Sequence, residues 1–353
     1  MAAKWKTAAL AITIAGAGIF ALGLVSGLLY EQTQRARDRE HYPQVGRSVD
    51  IGGRMLNLDC VGTGQPTVIL QSGSDWGINL AIHDPKMMYA HGGPRPGYSW
   101  VAIQRALADV TKVCWYDRAG SGWSDLGPYP RDSAAQARDL HALLGAAGIA
   151  PPYVLVGESS AGLDARVYTG FYPSEVAGLV LVNWSDPALF LDPRTGNPKR
   201  AARVPQWVGH SQDAMAQAFN SLGFYRLGQV RPAPTPPKGL TVGEWNTIWF
   251  LTHSSKAISA LMQDIASWKL SSSEARAAGS LGDRPLIVLS AESIAGPAEF
   301  CEAWGNAQSE LAGLSTRGRQ MAAGKGASDL LYDAPDAITA AVRQVVADVR
   351  KLQ

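Results

Sequence analysis

A serine set where a strand meets a helix carries the strongest chemical signal in this sequence. Residues 153–163 read YVLVGESSAGL, an apolar run followed by Gly157, Glu158, Ser159, Ser160, Ala161 and Gly162. Small residues at 157, 161 and 162 let the backbone turn sharply and the next helix pack close. That turn lifts Ser159 into a strained position at the carboxyl end of the strand. A hydroxyl there, at a helix N-terminus, suits attack on an acyl carbon, because the helix dipole favours developing negative charge. Read without chemistry, the same residues are a Ser/Gly turn that caps a helix. A nucleophilic serine also needs a base, normally a histidine oriented by a carboxylate. The six histidines stand at 41, 83, 91, 141, 210 and 253, and the last hundred residues hold none.

The elements that must position this serine alternate in type. Residues 45–59 hold Gly52-Gly53 between short apolar runs, a hairpin signal. Buried-strand runs follow at 67–71 (TVILQ), 112–116 (KVCWY), 153–156 (YVLV), 178–182 (GLVLV) and 285–290 (PLIVLS). Helical spacing occupies 101–110, 134–144, 163–172, 298–314 and 335–349. This alternation predicts an α/β domain over 44–353, a mostly parallel sheet with helices on both faces. It stops after Val182, and residues 184–283 carry amphipathic patches near 210–223 and 244–267 with no strand signal. That stretch is expected to be a helical cap insertion, with 232–237 (PAPTPP) as a loop inside it.

The chain resembles the α/β-hydrolase fold family over roughly residues 45–350. Besides the serine turn, residues 116–125 (YDRAGSGWSD) resemble the family's loop after its fourth strand. Residues 67–73 resemble its third strand and oxyanion loop, and 172–182 its exit into strand six. The resemblance implies Ser159 as nucleophile and an oxyanion hole built from the N–H groups of Ser160 and Ser74. The family's histidine precedes the last helix. Counting back from Pro335 in GASDLLYDAPD, that position falls on Ser328. The acid positions are also altered: Asn183 stands at the end of strand six, with Asp186 three residues on, and Glu292 is the carboxylate nearest the end of strand seven. His83 and His91, in the long loop after the oxyanion strand, are alternative bases, as are His210 and His253 in the cap. Asp164, on the first turn after the serine, reads as a helix-dipole partner. The implied function is hydrolysis of carboxylic esters by acyl transfer to Ser159 and then to water. The alternative is a degenerate hydrolase fold that binds a small apolar ligand or a protein partner.

Residues 1–6 are a short tail, and 7–30 form an uncharged run flanked by Lys4, Lys6 and Glu31. As a helix this run spans about 36 Å, more than the ~30 Å hydrocarbon core, so a retained transmembrane anchor is expected. A signal peptide cleaved near Val25-Ser26-Gly27 is the rival reading. Residues 31–43 read as a polar juxtamembrane linker. Basic residues on both sides (Lys4 and Lys6; Arg35, Arg37 and Arg39) leave orientation open, with an extracytoplasmic domain favoured. Gly23 and Gly27 give a GxxxG spacing that could pack two helices.

Composition narrows the rest. Charged residues make up 18% and the formal net charge is +2 without a basic tract, which argues against a nucleic-acid surface. No dinucleotide fingerprint, phosphate loop or metal-ligand cluster occurs, so neither cofactor nor metal is implied. Cys114 reads as an inert buried thiol, and Cys60 with Cys301 as a pair that an oxidising compartment could bridge. The 11 tryptophans, like Met87-Met88, read as core and cap packing or as lining of an acyl pocket.

Overall fold

The computed structural model describes residues 2–74, 94–183, 218, 221–223, 233–292, 298–324 and 329–352. The chain divides into two compact units: residues 1–44 with 210–232, and residues 45–209 with 233–353.

The first unit contains the long helix α1 (Ala2–His41). It is long and apolar enough over 13–41 to cross a membrane. The helix runs on through the polar residues read as a linker, where Arg35 Nε donates to Glu31 Oε1 at 2.8 Å. Gly27 packs against the chain's own residue 222. A Cβ at Gly27 would fall 2.7 Å from the Leu222 carbonyl oxygen, whereas nothing lies within 4 Å of a Cβ at Gly23. Among the described residues of this unit, the close approach allowed by the GxxxG spacing is made by Gly27, to the backbone of Leu222.

The second unit holds an eight-stranded sheet: β1 (Arg47–Asp50), β2 (Met55–Val61), β3 (Thr67–Gln71), β4 (Val113–Tyr116), β5 (Tyr153–Glu158), β6 (Val176–Val182), β7 (Leu286–Ser290) and β8 (Gly318–Ala322). Their order across the sheet is β1-β2-β4-β3-β5-β6-β7-β8. β2 runs antiparallel to β1 and β4, and every other pairing is parallel. The expected hairpin is β1–β2, and the five predicted strand runs are β3 to β7. Sequence reading missed β8, because GRQMA lies at the sheet edge with little of it buried and offers no apolar run.

The helices are α2 (Val101–Leu107), α3 (Ser133–Ala146), α4 (Ala161–Phe171), α5 (Val242–Thr252), α6 (Ser255–Ala277), α7 (Ala298–Ala312), the short α8 (Leu330–Asp333) and α9 (Pro335–Arg350). Alternate strand residues feed two cores. Leu155, Leu179 and Leu181 join one with Leu140 and Leu163; Val154, Val156, Val180 and Val182 join the other with Val342 and Val345. In α9 the buried positions 338, 341, 342, 345, 346 and 349 form the helical stripe that covers this second face. Described residues between β6 and β7 are helical in α5 and α6. α6 begins at Ser254, whose hydroxyl accepts from the Ala257 N–H at 3.2 Å.

The cysteine reading needs correction. Cys60 and Cys114 form a disulfide, their Cα atoms 4.1 Å apart and directly opposed across the β2–β4 ladder. Their sequence separation of 54 conceals the pairing, because β3 follows β2 in the chain while β4 lies beside it in the sheet. Of three cysteines, one is then left as a thiol. Denatured, unreduced protein should bind one equivalent of a thiol reagent and reduced protein three. Three equivalents before reduction would contradict the bridge.

Candidate active site

β5 ends at Glu158, and the turn into α4 is made by Ser159 at φ +51. A left-handed φ is costly for a residue with a Cβ, on the order of 1–3 kcal/mol, and persists only where the surroundings enforce it. Here they do. The Ser159 N–H donates to the carbonyls of Val182 (2.9 Å) and Asn183 (3.1 Å), past the end of β6. Two glycines allow the crowding: a Cβ on Gly157 would lie 2.6 Å from the Ala161 oxygen, and one on Gly73 would lie 2.3 Å from the Glu158 oxygen. Asn183, directly after β6, also takes a positive φ of 48°.

The half-buried Ser159 hydroxyl donates to the Ser74 carbonyl at 3.2 Å. Ser74 is wholly buried just after β3, and its N–H donates to Ser160 Oγ at 2.8 Å. The Gly73 N–H donates to Glu158 Oε2 at 3.1 Å, so the residue before Ser159 anchors the loop after β3. The structure thus brings Ser159, Ser160, Ser74 and Asn183 together at the carboxyl edge of the sheet. Asn183 is 8% exposed, and its Oδ1 has no hydrogen-bond partner among the described residues.

Beneath these serines lies a buried charge network that sequence reading did not assemble. Arg118 Nη2 donates to Ser74 Oγ (3.0 Å) and to Asp264 Oδ2 (2.9 Å), and Arg118 Nη1 reaches Asp164 Oδ2 at 3.4 Å. Ser74 Oγ in turn donates to Asp264 Oδ2. Ser133 Oγ donates to Asp164 Oδ1 at 2.6 Å. Asp164 is therefore a partner in this network and more than a helix-dipole residue. Arg118 stood inside the 116–125 signature, whereas Asp264 showed only as an acidic residue among the buried positions of α6. In the same signature Asp117 is structural. It accepts from the N–H groups of Gly97 (2.6 Å) and Trp123 (2.9 Å) and from Asn57 Nδ2 (3.0 Å).

Glu292 lies just past β7 and is exposed. His253 ends α5, its Nδ1 2.8 Å from the Trp249 carbonyl and its ring 4.0 Å from the Trp249 ring. His141 stacks on Tyr172 at 3.9 Å, and His41 ends α1. Ser328, His83, His91, His210 and Asp186 lie outside the described residues. Next to Ser328, Asp329 receives both Nη1 (2.8 Å) and Nη2 (2.6 Å) of Arg95. Arg95 is bonded through its N–H to the Gly73 carbonyl at 3.2 Å. This bidentate pair ties the segment before α9 to the loop after β3.

Strand order, serine turn and helical placement define the α/β-hydrolase fold, and this chain has it. A family model described as alpha/beta hydrolase fold matches residues 85–232. Among curated relatives, "Probable transporter efuK" of Hormonema carpetanum is 28% identical over 193 residues, covering 53% of this chain and 25% of that protein. "Uncharacterized protein YbdG" of Bacillus subtilis (strain 168) is 24% identical over 191 residues, covering 54% of this chain and 53% of that protein. The matched region thus spans a quarter to about half the length of these two relatives. Solved structures share the fold at low identity. A thermophilic esterase from Thermogutta terrifontis aligns with a TM-score of 0.55 at 19% identity, over 87% of this chain and 99% of its own. The haloalkane dehalogenase DatA from Agrobacterium tumefaciens C58 aligns with a TM-score of 0.56 at 15% identity, over 86% and 97%.

Burial, the largest influence, pushes the Asp164 carboxyl up to about 6. Arg118 and the Ser133 hydrogen bond oppose that rise and Asp264 adds to it. The folded state thus holds this proton more tightly than the unfolded chain, whose value lies near 3.8. The resulting stabilisation is complete below about pH 4 and is lost as pH rises through about 6, a change on the order of 3 kcal/mol. The thermal unfolding temperature of the full-length protein in detergent should therefore fall between pH 4 and 7, and Asp164→Asn should flatten that fall. Parallel pH curves for parent and variant would contradict it.

Proposed function

We propose that this protein is a serine-dependent hydrolase of carboxylic esters, with Ser159 as the acyl-accepting residue. The observation that carries this reading is the enforced left-handed turn at Ser159 beside the Ser74 and Ser160 backbone. In the reaction, Ser159 Oγ attacks the ester carbon and gives up its proton. The carbonyl oxygen becomes an oxyanion facing the Ser160 and Ser74 N–H groups, and the alcohol departs with a proton. Water then attacks the acyl-serine, releasing the acid and restoring the hydroxyl. In the resting site the Ser159 proton is given to the Ser74 carbonyl, which is no base. A base must come from elsewhere, and the candidates left are the family's histidine position at 328, with His83 and His91 as the alternatives. Asn183 or Asp186 would orient that base, with Glu292 as the alternative acid.

A second reading is a descendant of such an enzyme that binds an apolar ligand without turnover. It is supported by the sequence count that puts Ser328 where the family has its histidine, and by the Ser74 N–H being already spent on Ser160 Oγ.

We further propose that α1 anchors the protein in a membrane. Its side chains support this, since Ile19 and Phe20 are 72% and 68% exposed, an apolar surface that water disfavours. The Cys60–Cys114 bridge supports a domain facing an oxidising compartment.

Turnover of short p-nitrophenyl esters by the full-length protein should be slow and should vanish in Ser159→Ala. Ser328→His should raise it, within the roughly 10²–10⁴-fold that general-base assistance supplies. Adding Asn183→Asp should raise it further than it does alone, because base and orienting acid act as a unit. If His83 or His91 already serves, its replacement by Ala should abolish activity while Ser328→His changes little. Turnover that survives Ser159→Ala would refute the serine mechanism.

A further inference from the structure

Asp264 belongs to α6, far in sequence from any motif of the fold, yet its carboxylate reaches the oxyanion loop. One oxygen, Oδ2, accepts from Ser74 Oγ and from Arg118 Nη2. Asp264 is 9% exposed, Arg118 4% and Ser74 0%, so these bonds are made almost free of water, where they are strong and directional. Ser74 is consequently held from four sides. Its hydroxyl is fixed by Asp264 and Arg118, its N–H by Ser160 Oγ, and its carbonyl by the Ser159 hydroxyl. The N–H is the oxyanion donor of the proposed reaction, and the side chain of the same residue is the handle by which α6 grips it.

Resting on the serine-hydrolase reading, we propose that Asp264 is a positioning residue that sets the Ser74 N–H for the oxyanion through the Ser74 hydroxyl and Arg118. Ser160 Oγ holds that N–H in the resting state and releases it when the oxyanion forms. The Ser74 peptide must then keep its orientation without the Ser160 bond, and the grip on its side chain supplies that constraint. Pre-aimed donors act on the transition state more than on the bound ester, so loss of the grip should lower the acylation step and spare binding.

The test uses full-length protein in detergent with an alkyl fluorophosphonate, which reports acylation-like attack by Ser159 in a single turnover. Mass spectrometry of the modified peptide gives the maximal labelling rate and the concentration for half that rate. Asp264→Ala should slow the maximal rate about 10- to 100-fold, within the loss expected for one oxyanion donor, and leave half-saturation within about threefold. Asp264→Asn, which keeps an acceptor for Ser74 Oγ and Arg118, should restore most of the rate. Ser74→Ala should mimic Asp264→Ala, and the double variant should lose little more, since both cut one linkage. Where Asp264→Ala does not fold, Asp264→Asn and Ser74→Ala carry the comparison. Unchanged labelling in Asp264→Ala and Ser74→Ala, or a change confined to half-saturation, overturns the positioning role and leaves the serine reading standing. A parent in which Ser159 is not labelled at all overturns the serine reading, and this inference with it.

Discussion

The candidate site depends on one backbone constraint, the Ser159 N–H held by the carbonyls of Val182 and Asn183 beyond the end of β6. β5 and β6 pair up to Glu158 and Val182, and both strands then turn in the left-handed region, at Ser159 and Asn183. These are the two non-glycine residues with positive φ among those described. The cost of each turn is offset by the parallel pairing beneath it and by contacts that only Gly157 and Gly73 permit. The hydroxyl is thereby directed off the sheet edge toward the loop after β3. Everything assembled around it, from the Ser74 carbonyl to the Ser160 hydroxyl, follows from that orientation.

The second determinant is charge. Arg118 is buried with two carboxylates, one from α4 and one from α6, and breaking a buried pair is costlier than forming it is rewarding. Such a network serves geometry more than stability. Asp164 sits one helical turn past Ser159, and Asp264 arrives from the segment between β6 and β7, so Arg118 fastens two separate parts of the chain to the loop that carries Ser74. The Arg95–Asp329 pair joins the loop after β3 to the segment before α9. A site held by two such clamps is rigid where the proposed transition state needs donors already in place.

Much of this was legible in the sequence because buried parallel strands are written as short apolar runs, and β3 to β7 are five of them. The serine turn was legible for the same reason, small residues being required wherever backbones approach closely. The edge strand β8 was not, since a half-exposed strand needs no apolar pattern. The disulfide and the Arg118–Asp264 contact were not, because both depend on which strand or helix lies beside which, and Cys60, Cys114, Ser74 and Asp264 are distant in sequence. The carboxamide oxygen of Asn183, without a hydrogen-bond partner among the described residues, belongs to the same class. Its identity was visible, but its burial at the serine turn was not.

The central claim is that Ser159 accepts the acyl group, and the absence of a histidine at 328 makes that step observable. With acylation by an activated ester outrunning base-assisted attack of water, the acyl-serine should accumulate. Mixing the full-length protein with p-nitrophenyl acetate, quenching in acid and mapping the adduct by mass spectrometry should place acetyl on Ser159. An adduct on another residue, or none despite continued release of nitrophenol, would contradict the account.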